Sequence, residues 1–135
     1  DVYKRQEYDN LLQKILMGYV QSYPEVNKLP TFTATTARIQ KYGKDGHFNT
    51  WHHERSGGET QNRCLVYMTY LNDVEEGGET YFKYQDKKIK PEVGKTIIWP
   101  SDWTHTHKGV SPKSGFKYIA TGWYVHTSEM QKHQH

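Results

Sequence analysis

The sequence predicts a mainly β domain, a sandwich or barrel of short strands standing behind one helix. Three observations carry that reading. An apolar stripe at helical spacing runs through residues 7–23 and stops at Pro24. From Thr31 onward, about eight short runs rich in β-branched and aromatic residues alternate with Gly, Pro, Asn and Asp turn signals. Aromatic residues make up 14% of the 135 residues, which supplies large apolar surfaces for a core although only 34% of the chain is hydrophobic.

In the helix, Tyr8, Leu11, Leu12, Ile15, Leu16, Tyr19 and Val20 recur at i, i+3, i+4 and i+7, and Pro24 ends it because it has no N–H to continue the ladder. Strands are expected over 31–42, then over 47–53 after a turn at Asp45-Gly46. Ser56-Gly57-Gly58 is a loop, and Arg63–Leu71 (RCLVYMTYL) is apolar throughout, as a buried strand should be. Asn72–Gly78 (NDVEEGG) is a polar turn, and Glu79–Tyr84 and Lys88–Lys90 form a hairpin through Gln85-Asp86, with Lys87-Lys88 at a solvated tip. Thr96–Trp99, Thr104–Val110 and Phe116–Val125 complete the strands. Residues 7–126 read as one domain, the polar 127–135 as a flexible tail. Residues 1–6 (DVYKRQ) resemble the translated end of a sequencing adapter and are set aside, so the true N-terminus is expected to be missing.

The composition narrows the function classes. A net charge of +3 with Lys and Arg scattered among acids gives no basic stripe, so no nucleic-acid partner is expected. No run of apolar residues approaches a membrane span. The single Cys64 cannot form an internal disulfide and reads as a small buried residue; with no signal peptide in view, a reducing, cytoplasmic setting is the expectation.

The eight His residues are the compositional oddity. His52-x-Glu54 on a strand would put both side chains on one face. One further His from a distant strand would complete two imidazoles and a carboxylate around a metal with open positions, the arrangement of non-haem Fe(II) sites. His105 and His107, two apart, both qualify as that third ligand. Lys117 follows His107 by ten residues across a Gly- and Pro-containing bend, so two antiparallel strands would bring an imidazole and an ammonium to one pocket. A buried ammonium needs a counter-charge. A dicarboxylate that chelates the metal at one end and meets Lys117 at the other supplies it.

Four segments then carry a resemblance: YGKDGHFNTWHHE (Tyr42–Glu54), RCLVYMTYLNDVEEGGETYF (Arg63–Phe82), KPEVGKTIIWPS (Lys90–Ser101) and HKGVSPKSGFKYIATGW (His107–Trp123). In order and spacing the chain from about Ala34 to Val125 resembles the prolyl 4-hydroxylase-like branch of the 2-oxoglutarate and Fe(II)-dependent dioxygenases. The resemblance implies a double-stranded β-helix, or jelly roll. It also implies hydroxylation of an unactivated C–H bond, prolyl residues of peptides or proteins by default, with succinate and CO2 as co-products. O2, Fe(II) and 2-oxoglutarate would be partners or cofactors, and ascorbate the reductant for uncoupled turnovers; free amino acids and other side chains stay open as substrates, and oligomeric state is not implied.

Residue by residue, the resemblance puts His52, Glu54 and His107 on the iron triad. Lys117 falls on the residue that binds the far carboxylate of 2-oxoglutarate, and Tyr70 on a Tyr that shares this carboxylate in hypoxia-type enzymes. Tyr42 falls on a Tyr of the co-substrate pocket, and Thr121 and Trp123 on residues lining the iron site. His107 is preferred to His105 because it keeps the spacing to Lys117. One departure is Glu54, since most of the family has Asp; the extra methylene moves the carboxylate by roughly one bond length, where metal–ligand distances hold to about 0.2 Å. That departure supports the alternative of a jelly-roll binding module without turnover. A nucleic-acid dealkylating enzyme of related sequence would carry an Arg where Trp123 stands. His53, His47, His126, His133 and His135 read as surface or solvated residues, and Trp51, Trp99 and Trp103 as core or rim packing.

Overall fold

The computed structural model describes residues 2–44 and 48–127, within two compact units, Asp1–Thr31 and Phe32–His135. The expected turn at Asp45-Gly46, His47, and the tail with His133 and His135 lie outside the described residues. In the first unit, helix α1 (Val2–Ser22) begins earlier than the apolar stripe requires, because its first turns are good helix formers such as Lys4, Arg5, Gln6 and Glu7. Leu12 and Leu16, one turn apart, are buried, whereas Leu11 is exposed. Pro24 ends α1 and opens a short 3₁₀ turn, Pro24–Lys28, where its fixed φ suits the first position. No helix among the described residues is long and apolar enough to cross a membrane.

Among the described residues the second unit holds nine strands: β1 (Phe32–Ala34), β2 (Arg38–Tyr42), β3 (Phe48–His52), β4 (Arg63–Tyr70), β5 (Thr80–Phe82), β6 (Lys87–Ile89), β7 (Thr96–Pro100), β8 (His107–Gly109) and β9 (Lys117–His126). They form two antiparallel sheets, β1-β9-β4-β7 with β2 also on β9, and β3-β8-β5-β6. The strand expected over 31–42 is two strands on one edge of β9, because Thr35 leaves the regular ladder: its N–H reaches the Trp123 carbonyl (2.8 Å) and its hydroxyl accepts from the Trp123 N–H (3.0 Å). The strand expected over 104–110 is shorter, since Trp103–His105 is a 3₁₀ turn closed by the Thr106 hydroxyl on the Trp103 carbonyl (2.7 Å). His105 and His107 therefore do not share a strand face. Lys87 and Lys88 lie on β6 and are exposed, and the turn precedes them.

The two sheets share a core of Val66, Met68 and Tyr70 from β4, Trp99 from β7, Ile119 from β9 and Phe82 from β5. Alternation on β4 turns these three inward, while Leu65 and Tyr67, also buried, face the other way. Phe82 meets Trp99 edge to face at 5.2 Å, the arrangement that ring quadrupoles favour. This two-sheet packing is the jelly roll, and its core is the floor on which the site stands. Trp103, expected in the core or rim, is 66% exposed.

Candidate active site

His52 ends β3, and its register partner across the sheet is His107, the first residue of β8. Their ring centroids lie 4.4 Å apart. Each ring is oriented by its own backbone: His52 Nδ1 is 2.9 Å from the Thr50 carbonyl oxygen and His107 Nδ1 is 2.8 Å from that of His105. An Nδ1–H donated to a carbonyl leaves the Nε2 lone pair free to point inward.

Glu54 lies just beyond β3, not on it, and reaches the same point by a different anchor. Its N–H and that of Arg55 both donate to the Ser101 carbonyl (3.0 and 2.9 Å). Arg55 is locked by a bidentate pair with Asp102, both contacts 2.8 Å. Arg63 donates to the Glu54 carbonyl (3.2 Å), and the Trp123 indole N–H donates to Glu54 Oε1 (3.1 Å).

Glu54 Oε2 then lies 3.1 Å from His52 Nε2 and 3.3 Å from His107 Nε2, and one donor atom from each residue falls within 4.8 Å of the others. Two donors at about 2.1 Å from an ion and at right angles to it are about 3 Å apart, so the pairwise spacing fits one coordination sphere. Three acceptor atoms aimed at one point repel unless positive charge sits among them, either a metal ion or the protons that the imidazoles donate to Glu54 in its place. Burial opposes the Glu54 charge, but hydrogen bonds to His107 and His52 outweigh it and hold the carboxyl well below its usual range. The contact with Glu54 raises His52 against the opposite pull of burial.

A cavity of about 270 Å³ opens beside these donors, and Tyr42, Lys117, Thr121 and Trp123 line it with them. Lys117, at the start of β9, is 5% exposed, donates to the Gly78 carbonyl (3.0 Å) and passes 5.3 Å from the centre of the Tyr42 ring. Burial pushes the ammonium down to about 8, although Glu79 favours the charge. The Tyr42 hydroxyl donates to Gln40 Oε1 (2.6 Å), and the Thr121 hydroxyl to the Tyr67 carbonyl (3.0 Å).

Tyr70 stands one layer back. Thr80, not Tyr70, lines the cavity, and the Tyr70 hydroxyl lies 2.6 Å from Thr80 Oγ1 and 3.2 Å from the Ile89 carbonyl. Burial lifts that phenol to about 12, so it stays neutral. His105 faces elsewhere, with Nδ1 at 3.0 Å from its neighbour Thr104, and does not join the cluster. His53, the first residue past the end of β3, is exposed. Gln40 and Thr80 line the cavity without having been singled out; Gln40 was within reach, since two residues before Tyr42 on a strand means the same face.

The chain also matches a known family profile over residues 37–125, which covers every donor just described. It belongs to the 2OG-Fe(II) oxygenase superfamily. Within this superfamily it is 29% identical over 106 residues to prolyl 4-hydroxylase 13 of Arabidopsis thaliana, covering 62% of this chain and 38% of the relative. The chain thus spans well under half the length of that relative. Among solved structures it is similar to the viral collagen prolyl hydroxylase vCPH of Paramecium Bursaria Chlorella virus-1 in its 2OG complex, with TM-score 0.71, 23% identity, and coverage of 87% of this chain and 72% of that one. A prolyl hydroxylase from Trichoplax adhaerens, in complex with a hypoxia inducible factor oxygen degradation domain peptide fragment, matches with TM-score 0.60, 24% identity, and coverage of 71% and 46%. These likenesses show the superfamily's double-stranded β-helix here.

Proposed function

We propose that the chain is the catalytic part of an Fe(II)- and 2-oxoglutarate-dependent hydroxylase that acts on a prolyl residue of a peptide or protein. The observation that carries the reading is the convergence of His52, Glu54 and His107 at the cavity that also holds the buried Lys117. The reaction balances as C–H, O2 and 2-oxoglutarate giving C–OH, succinate and CO2. The name of the Arabidopsis relative and the peptide bound to the Trichoplax enzyme support the prolyl substrate.

Ferrous iron held by His52, Glu54 and His107 would supply what side chains lack, the activation of O2. The chain's own residues bind and orient. Lys117 takes the far carboxylate of 2-oxoglutarate, exchanging a neutral carbonyl partner for a full charge in a low-dielectric pocket. Thr80, backed by Tyr70, and Tyr42, held by Gln40, shape that end of the cavity. Val66, Met68, Trp99 and Ile119 form apolar walls that keep water from the reacting groups. Thr121 and Trp123 line the metal end, and ascorbate serves as reductant when turnover is not coupled to substrate.

The test is a panel of prolyl peptides and free amino acids, incubated with Fe(II), 2-oxoglutarate and air and read by mass spectrometry. One added oxygen on a prolyl peptide, matched by succinate, is the expected result. Succinate with a different acceptor would replace the substrate class. Binding of metal and 2-oxoglutarate with no succinate from any member would identify a binding module instead.

A further inference from the structure

Glu54 is gripped at both ends. Its backbone is tied to Ser101 through its N–H (3.0 Å) and to Arg63 through its carbonyl (3.2 Å). Its carboxylate is split: Oε1 receives the Trp123 indole N–H (3.1 Å), and Oε2 alone faces the two imidazoles. The last torsion of a glutamate is broad and nearly two-fold, so an ungripped carboxylate would present either oxygen, or both.

The indole is itself fixed. The Arg63 guanidinium lies 3.7 Å from the centre of the Trp123 ring, a cation–π stack, so one arginine touches the glutamate backbone and the group that holds its carboxylate. The Trp123 backbone is tied to Thr35 at its N–H (3.0 Å) and its carbonyl (2.8 Å). The anchors sit on separate elements, so the distance from the Glu54 backbone to the indole and to the imidazoles is set by the fold. An aspartate would fall short by about one C–C bond, roughly 1.5 Å, and could meet one of them but not both.

We infer that Trp123, held flat by Arg63, is a positioning residue for the metal: it occupies Oε1 of Glu54, leaves Oε2 as the oxygen offered, and sets the reach of the site for glutamate. The inference rests on the metal reading under Proposed function, and it extends to residues far from Glu54 in sequence.

The test uses the metal-free full chain titrated with cobalt(II), following the visible absorption of the bound ion, with thermal unfolding of each apo variant as control. Trp123→Phe keeps an aromatic ring for Arg63 to stack on and removes the N–H. It should weaken cobalt binding about 10- to 100-fold, the usual effect of losing a partner of a metal ligand, and alter the cobalt spectrum. Arg63→Lys, which keeps the charge and loses the flat stack, should weaken binding roughly two- to fivefold. Glu54→Asp should lose on the scale of Trp123→Phe, and the double variant should be no worse than the poorer single one, since both remove one arrangement. An unchanged spectrum and affinity in Trp123→Phe, or losses that multiply in the double variant, would overturn the inference. Those outcomes leave the iron site standing if the wild-type chain binds cobalt; a wild-type chain that binds none would remove both.

Discussion

The Lys117 ammonium sits 3.0 Å from the carbonyl oxygen of Gly78, at the wall of the cavity where His52, Glu54 and His107 meet. A cation buried against a neutral acceptor is under-compensated. The fold carries that cost because Gly78 and its neighbour Gly77 hold a turn with φ of +79° and +81°, where a Cβ at Gly77 would fall 2.5 Å from the Ser111 carbonyl oxygen. The turn thus fixes the carbonyl, and the carbonyl fixes the lysine, ready for an anion.

Replacing Lys117 with Met should separate stability from binding. With the folded ammonium at about 8 against an ordinary 10.5, the unfolded chain holds a proton that the folded chain gives up between those values. Stability contributed by this group therefore rises with pH across that window, and the full penalty, on the order of 3 kcal/mol, is present below it. Lys117→Met should raise the melting temperature of the ligand-free protein at pH 7 and remove that rise between pH 8 and 10.5. It should also raise the 2-oxoglutarate requirement by roughly 100-fold while leaving metal affinity intact, a loss matching that of a buried ion pair. Equal loss of metal and 2-oxoglutarate binding would show the pocket misplaced.

The two histidines of the 3₁₀ turn and β8 give a second test. His107 aims Nε2 at Glu54, and His105 does not join the cluster. A metal at 100 times its Kd should stabilise the wild-type chain by about 2.7 kcal/mol. That gain, read as the shift in melting temperature on adding Fe(II) without oxygen or Co(II), should vanish in His107→Ala and persist in His105→Ala. The reverse pattern would transfer the ligand role to His105.

What the sequence made legible was periodic or local. The β4 run could be read as a buried strand because every position from Cys64 to Tyr70 is buried, and the paired His52 and His107 because each stands at a strand end next to a recognisable motif. What stayed hidden was contact between distant residues. Nothing near Arg63 announces that its guanidinium stacks on Trp123, or that the Trp123 indole reaches Glu54. The break at Thr35 was invisible for the same reason, since a threonine in a β-rich run reads as strand until its partner on β9 is known. A regular strand would put Glu54 on the face of His52, but Glu54 lies past the strand end and reaches the same point through the Ser101 carbonyl.

Tyr70 and Thr80 should divide along their depth. Thr80 lines the cavity, and the Tyr70 hydroxyl sits behind it at 2.6 Å. Tyr70→Phe takes the phenol from the Thr80 hydroxyl, which keeps the weak contact with the Met68 sulfur (4.0 Å), and from the Ile89 carbonyl; it should cost about 1–2 kcal/mol of stability in chemical denaturation, with a small effect on the KM for 2-oxoglutarate. Thr80→Val should raise that KM more than Tyr70→Phe does. A larger KM effect from Tyr70→Phe would mean that the phenol meets the co-substrate directly.

Gly122 should tolerate no side chain, and the damage should travel to the metal. It is the register partner of Tyr67 across β9 and β4, and a Cβ there would collide with the Tyr67 hydroxyl and lie 2.5 Å from Cζ and 2.7 Å from Cε2. Tyr67 has little room to yield, because it is 1% exposed and its hydroxyl donates to the Thr35 carbonyl at 2.7 Å. Gly122→Ala should therefore cost about 1–3 kcal/mol, as overpacked cores do. Tyr67→Phe should rescue little of it, since ring carbons as well as the hydroxyl block the space. Gly122 stands between Thr121 and Trp123, and Thr35 is the residue that ties down the Trp123 backbone, so a shift of either strand moves the indole that grips Glu54. Gly122→Ala should then weaken cobalt binding in folded protein, measured well below its melting temperature. Full cobalt affinity in a destabilised Gly122→Ala chain would show that the packing of Tyr67 and the placement of Trp123 are independent.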